Sequence, residues 1–187
     1  VYGPYARVWT TAPIKRIKEN ELFLIDEGRG LANPLYIDNL VDAVFLALTT
    51  KKALGERLII SDGKGISWRK FYGSYQKMIS QKQIARLNSF NEAKLKLISL
   101  PIKVAKKIKK ILYDQGLLKT NPPFVEKYII PIYNRSQALA TLSENNRLFF
   151  KDKCIFQIDK AKKILGYSQR ISFSQGMKLT KKWLKYA

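Results

Sequence analysis

The stretch Gly28-Arg29-Gly30, followed by Asn33, Pro34 and Tyr36, carries the residue types of a ligand-holding loop. Its glycines make it pliant, Arg29 offers a guanidinium, and Asn33 and Tyr36 offer polar side chains. All of them precede an apolar helix, and loops at a helix N-terminus commonly hold ligands. Carboxylates able to share acid–base work are sparse. Asp38 with Asp42, and Asp26 with Glu27, are the closest sets, and a helix cap and a turn account for them without catalysis. There is no His, and Cys154 is the single cysteine. That excludes the usual zinc ligand sets, His-dependent triads and any disulfide framework, and it fits a reducing compartment. No Gly-x-Gly-x-x-Gly, Gly-x-x-Gly-x-x-Gly or P-loop occurs, and no Tyr is followed four residues later by Lys.

The elements that must position these residues can be read from periodicity. Val1–Tyr5 is a strand end entering a Gly-Pro turn. Residues Arg7–Asn20 carry a helical pattern with Ile14 and Ile17 on one face. Leu22–Ile25 is a short strand stopped by Asp26–Gly30. After the loop, the pattern predicts a short strand and then a helix in which Leu40, Val41, Val44, Phe45, Ala47 and Leu48 leave only a narrow polar edge at Asn39 and Asp42. So apolar a helix is expected to lie under other elements, with Asp38 as its cap. Gly55 turns the chain, Arg57–Ser61 reads as a buried strand, and Asp62-Gly63 as a turn. Ser67 caps an amphipathic helix whose Trp68, Phe71, Tyr72, Tyr75, Met78 and Ile79 form a core stripe. From Gln81 to Asn121 the pattern is helical and strongly basic, ending at Pro122-Pro123; residues 124–150 show no clear pattern. Asp159 is a candidate cap for a helix with Ala161, Ile164 and Leu165 inward and Gly166 as its stop. Ser172 and Gln175 have capping-box spacing before a last helix that places Phe173, Met177, Thr180, Trp183 and Leu184 on one side.

The length of 187 residues suits one domain or a large piece of one, and 46% hydrophobic residues suffice for a core. Neither a membrane-spanning apolar run nor a signal peptide is evident. The chain opens on Val1, inside what reads as a strand end, so a fragment is expected. Charge is uneven. Residues 1–50 hold 5 Lys/Arg against 6 Asp/Glu, and the remainder 30 against 8, within a net charge of +21. Such asymmetry accompanies nucleic-acid or anionic-membrane binding, and equally a merely Lys-rich solvent face.

In order along the chain, VYGPY, the Gly-Arg-Gly loop, YIDNLVDAVFLAL, GERLIISDG with SWRKFY, and IDKAKKILGYSQRISFSQGMKLTKKWL resemble the C-terminal half of extended short-chain dehydrogenases/reductases, the NAD-dependent epimerase/dehydratase family. The resemblance covers most of residues 1–80 and 155–185. It implies an α/β protein: the helix-rich, substrate-binding part of a Rossmann-type, doubly wound fold with an incomplete sheet. Residues 1–187 would then be the substrate-side portion with late sheet elements. The glycine-rich turn that binds NAD or NADP, and the acid–base Tyr of a Tyr-x-x-x-Lys motif, would lie in an N-terminal half preceding Val1. Tyr2, Gly3 and Pro4 match the family's Tyr-Gly-Pro turn near the nicotinamide, which makes them cofactor-side candidates. Asn33 and Tyr36 match the segment lining the substrate pocket. Family members acting on nucleotide-diphosphate sugars often carry an Arg four residues before that Tyr; here that place is Ala32, with Arg29 nearby as a substitute candidate.

The resemblance therefore implies an oxidoreductase, epimerase or dehydratase part acting on a sugar nucleotide or related hydroxy or keto substrate. It would be inactive alone, cytoplasmic, and a homodimer when complete. A hydroxysteroid-dehydrogenase-like oxidoreductase is an alternative within the same superfamily. A non-enzymatic basic module is the alternative from another class. Its contact with an anionic membrane would run through the stripe Ile102, Ala105, Ile108 and Leu112 flanked by lysines. Nucleic acid is the less favoured partner, because the aromatics fall on helix core faces instead of an exposed platform.

Overall fold

The computed structural model describes residues 1–79, 84–87 and 144–186. The expected basic stripe of residues 102–112, the Pro122-Pro123 break and most of the 81–121 helix lie outside the described residues. Within them the protein is mixed α/β and helix-rich, with two small two-stranded sheets. No helix among the described residues is long and apolar enough to cross a membrane.

Helix α1 (Ala12–Lys18) follows a π-helical turn at Arg7–Thr11, and Pro13 sits in its first turn, where a missing N–H costs nothing. Ile14 and Ile17 are buried, as their spacing predicts. Strand β1 (Phe23–Ile25) is wholly buried and pairs in parallel with β4 (Ala85–Leu87). That pairing corrects the expected helix at its start: residues 85–87 are extended, because β1 supplies a ladder that local periodicity does not reveal. Strand β2 (Leu31–Ala32) pairs antiparallel with β3 (Ile66–Ser67). Helices α2 (Ile37–Thr49) and α3 (Trp68–Met78) each follow a strand of that pair. The C-terminal part supplies α4 (Glu144–Lys151), α5 (Asp159–Leu165) and α6 (Phe173–Leu184).

Several ends behave as their residues dictate. The Ser67 hydroxyl accepts the Lys70 N–H at the start of α3, and Ser172 with Gln175 forms a complete capping box on α6. Gly166 ends α5 in the left-handed conformation, with φ +64°. Asp159 is the first residue of α5 rather than its cap, and it pairs with Lys162 one turn on. Asp38 likewise does not cap α2. Tyr36 occupies the cap position without a side-chain hydrogen bond, which leaves Asp38 inside the first turn, where a carboxylate still favours the helix dipole.

Two clusters make the core. The larger gathers Tyr2, Ile14, Leu24, Tyr36, the α3 stripe and Met177; the smaller gathers Ala43, Ile158, Ala161, Leu165 and Tyr167. Helix α2 lies between them, and here the structure departs most from expectation. Only Asn39 and Ala43 of α2 are buried, whereas Val41, Val44, Phe45 and Leu48 are 56%, 50%, 69% and 80% exposed. The apolar face is real, but the described residues do not cover it. The predicted polar edge splits as well. Asp42 forms a two-pronged ion pair with Arg170, and Asn39 is fully buried. Arg57–Ser61 is not a strand: Leu58 and Ile60 pack on the smaller cluster and Ile59 faces out, but no ladder joins the segment among the described residues.

Asn39 ties three segments together. Its amide nitrogen donates to Asp62 Oδ1 (3.1 Å) and to the Ile171 carbonyl (2.8 Å), and its oxygen accepts the Ile171 N–H (2.9 Å). Asn39→Ala takes this partner from Asp62 Oδ1 and the Ile171 N–H and leaves the Ile171 carbonyl to Gln169 Nε2 alone, each unpaired buried group costing about 1–3 kcal/mol. Urea unfolding should show Asn39→Ala less stable by about 3 kcal/mol, with an unchanged denaturant slope.

Candidate functional site

A cleft of about 200 Å³ opens between the N-terminal segment, β2 and the aromatic face of α3, with Phe149 and Phe156 on its C-terminal side. Each wall has a local cause. Trp68 and Phe71 project from the first turn of α3, where Ser67 fixes the entry of the chain. Trp9 is carried by the π-helical turn and stacks on Trp68 with ring centres 5.5 Å apart. Tyr2 is held by a parallel bridge to Tyr36: its N–H donates to the Leu35 carbonyl and its carbonyl accepts the Ile37 N–H.

The strap of residues 152–156 crosses β2 and brings in Phe156. Three bonds anchor it. The Leu31 N–H donates to the Asp152 carbonyl (2.7 Å), Asn33 Nδ2 to the Cys154 carbonyl (3.0 Å), and the Phe156 N–H to Asn33 Oδ1 (2.9 Å). The crossing depends on Gly30, since a Cβ there would run into the Phe150 carbonyl.

The residues singled out by sequence therefore separate. Tyr2 and Asn33 line the cleft, and Ala32 lies between Leu31 and Asn33 in the same wall. Tyr36 stands behind Tyr2, edge to face at 5.4 Å, and is buried. Gly3 turns the chain at φ +136°; its N–H donates to Thr10 Oγ1, and an added Cβ would meet Ile37. Gly3 and Pro4 are not part of the cleft wall. Arg29 is elsewhere. It donates to Glu27 Oε2 (3.0 Å), to which Arg69 also donates, and the two arginines hold a turn in which Asp26, Glu27 and Gly28 all have positive φ.

The titratable groups show which chemistry is present. Burial pushes the phenols of Tyr2, Tyr72 and Tyr75 well up, and that of Tyr167 up to about 12, so all stay neutral near pH 7. Tyr75 donates to the Trp9 carbonyl and pairs with Thr10; Tyr2 and Tyr167 donate to the carbonyls of Phe173 and Ser61. Tyr2, Tyr75 and Tyr167 are structural hydrogen-bond donors. Among the described residues, no group of three His, Cys, Asp or Glu side chains could hold a metal. Cys154 is exposed on the strap.

Sequence reasoning missed two features. One is Asp62, read only as a turn residue. It is buried, and that burial raises its carboxyl to about 6 against the pull of Asn39 and the Tyr36 backbone; its second oxygen has no hydrogen-bond partner. The other is the aromatic wall, whose members are too far apart in sequence for any motif to unite them.

Two tests follow from this geometry. Gly30→Ala should force the strap off β2, costing about 1–3 kcal/mol as overpacking does, and hydrogen exchange should show the Leu31 amide losing its protection. For Asp62, the raised carboxyl favours the protonated native state. Its contribution is complete below about pH 4 and is lost as pH rises through about 6. Asp62→Asn should thus remove a decline in urea stability between those values of up to about 3 kcal/mol, leaving a flatter profile than the parent's. No family model, curated protein or solved structure matches this chain.

Proposed function

We propose that the chain is the substrate-side part of an NAD(P)-dependent extended short-chain dehydrogenase/reductase, of the epimerase/dehydratase kind, completed by a dinucleotide-binding half. In that assembly the cofactor and the acid–base Tyr-Lys pair belong to the other half, and this chain supplies a pocket for a hydroxy or keto substrate. Tyr2 reaches the cleft from the Tyr-Gly-Pro turn on the cofactor side, and Asn33 reaches it from the wall of β2.

The observation that carries the reading is the uncovered face of α2. Val41, Val44, Phe45 and Leu48 form a stripe at helical spacing, more apolar surface than a solvated helix normally leaves bare. Val44 also lines a shallow groove shared with Leu54, Leu58 and Leu165. Beside it, residues 57–60 alternate inward and outward as a strand does, with no ladder among the described residues. An apolar helix face next to an unladdered extended segment suits the edge of a parallel α/β sheet, which would supply both an apolar surface and main-chain partners.

Reading the coding DNA upstream of Val1 tests this directly. The expected result is an in-frame Tyr-x-x-x-Lys and, before it, a glycine-rich turn following a strand. The 187-residue chain alone should leave NADH fluorescence unchanged at micromolar concentrations. Tight NADH binding by this chain, or an upstream frame without either motif, would overturn the reading.

A further inference from the structure

Among the described residues the cleft is aromatic, Val1 with its N-terminal amine is the charge-bearing residue in its wall, and Arg29 nearby is turned to Glu27. Trp9 and Trp68 present a stacked pair, Phe149 tilts against both at 6.2 and 5.5 Å, and Phe156 covers the rim. No Lys, Arg, Asp or Glu side chain lines it among the described residues. The polar side chain in its wall, Asn33, spends both ends of its amide on the strap. Arg29, the candidate for gripping phosphate, is engaged with Glu27 instead.

These facts select a ligand class. A pyrophosphate entering this cleft would give up its hydration for aromatic walls with no guanidinium fork to replace it, a large desolvation cost. A flat apolar body would instead stack on the indoles and displace water from them. The volume, about 200 Å³, falls below the roughly 300–1,000 Å³ of pockets for larger ligands, so a compact ring system fits better than a nucleotide. Trp68 adds one feature. Its indole N–H is buried behind the ring, without an acceptor among the described residues, so the face it offers the cleft is the apolar one.

We propose that the cleft binds a compact, uncharged, ring-containing compound in preference to nucleoside-diphosphate sugars. That this compound is a substrate rests on the function proposed above; that it binds does not.

The test is calorimetric titration of the 187-residue chain with 2-decalone, an uncharged bicyclic ketone, and separately with UDP-glucose. Saturable heat is expected with 2-decalone alone, and Phe156→Ala should weaken it up to about tenfold, as loss of one aromatic contact does. Phe156→Leu keeps the apolar cover and should retain most of the affinity, while near-UV circular dichroism checks that both variants are folded. Saturation by UDP-glucose but not 2-decalone, binding of neither, or a 2-decalone affinity equal in the parent and Phe156→Ala would each overturn the proposal. An upstream frame lacking the dehydrogenase motifs would leave this titration unaffected, so the two readings fail separately.

Discussion

A single primary amide, that of Asn39, holds the two halves of the core in register. Only a side chain with donors on one arm and an acceptor on the other can bond the Asp62 carboxylate while bracketing both backbone groups of Ile171. Asp at this place would face Asp62 with like charge, and Leu would take a partner from Asp62 Oδ1 and the Ile171 N–H while leaving the Ile171 carbonyl to Gln169 alone. Through Ile171 the amide also sets Ser172, whose capping box starts α6; through Asp62 it sets the turn that leads to β3. The position of α2 is thus communicated to both ends of the chain by one residue.

Tyr2 is the second organising point. Its ring meets Tyr36, Phe71 and Phe173 at centre distances of 5.4 to 5.7 Å, and it lies against Gly176 of α6. A Cβ at Gly176 would strike the Tyr2 hydroxyl and the Tyr36 ring, so the close approach of α6 depends on the absence of a side chain there. Edge-to-face packing favours these geometries over parallel stacking. The same burial that makes the cluster stable keeps its phenols protonated, so Tyr2 is available here as a wall and a hydrogen-bond donor, not as a base.

What could be read from the sequence was mostly local. The stripe of α3, the capping box of α6, the Gly166 stop and the Ile14–Ile17 face each depend on residues within a few positions of one another, and each is found where its spacing puts it. Helix α2 shows the limit. Periodicity identifies an apolar face but carries no information about what covers it, so Val41, Phe45 and Leu48 read as interior and stand exposed. Residues 85–87 fail for the complementary reason: a three-residue pairing with β1 overrides the helical pattern around it. Of the candidate site residues, Tyr2 and Asn33 reach the cleft. The wall made by Trp9, Trp68, Phe149 and Phe156 was not legible, since it exists only after folding. Asp62 was hidden by its own Asp-Gly dipeptide, a turn signal whose burial depends on the distant Asn39 and Tyr36.

The strap over β2 is fastened chiefly by the side chain of Asn33, which reaches residues 121 and 123 positions away in sequence. A closure of that kind is insensitive to how much chain it encloses. The entropic cost of joining two ends grows only with the logarithm of the loop, about 0.6 kcal/mol for each doubling. The two rims of the cleft can therefore stay in contact although most of the chain lies between them in sequence. An insertion between α3 and α4 thus adds little to the cost of the closure, with Gly30 and Asn33 as the fixed points against which the strap docks.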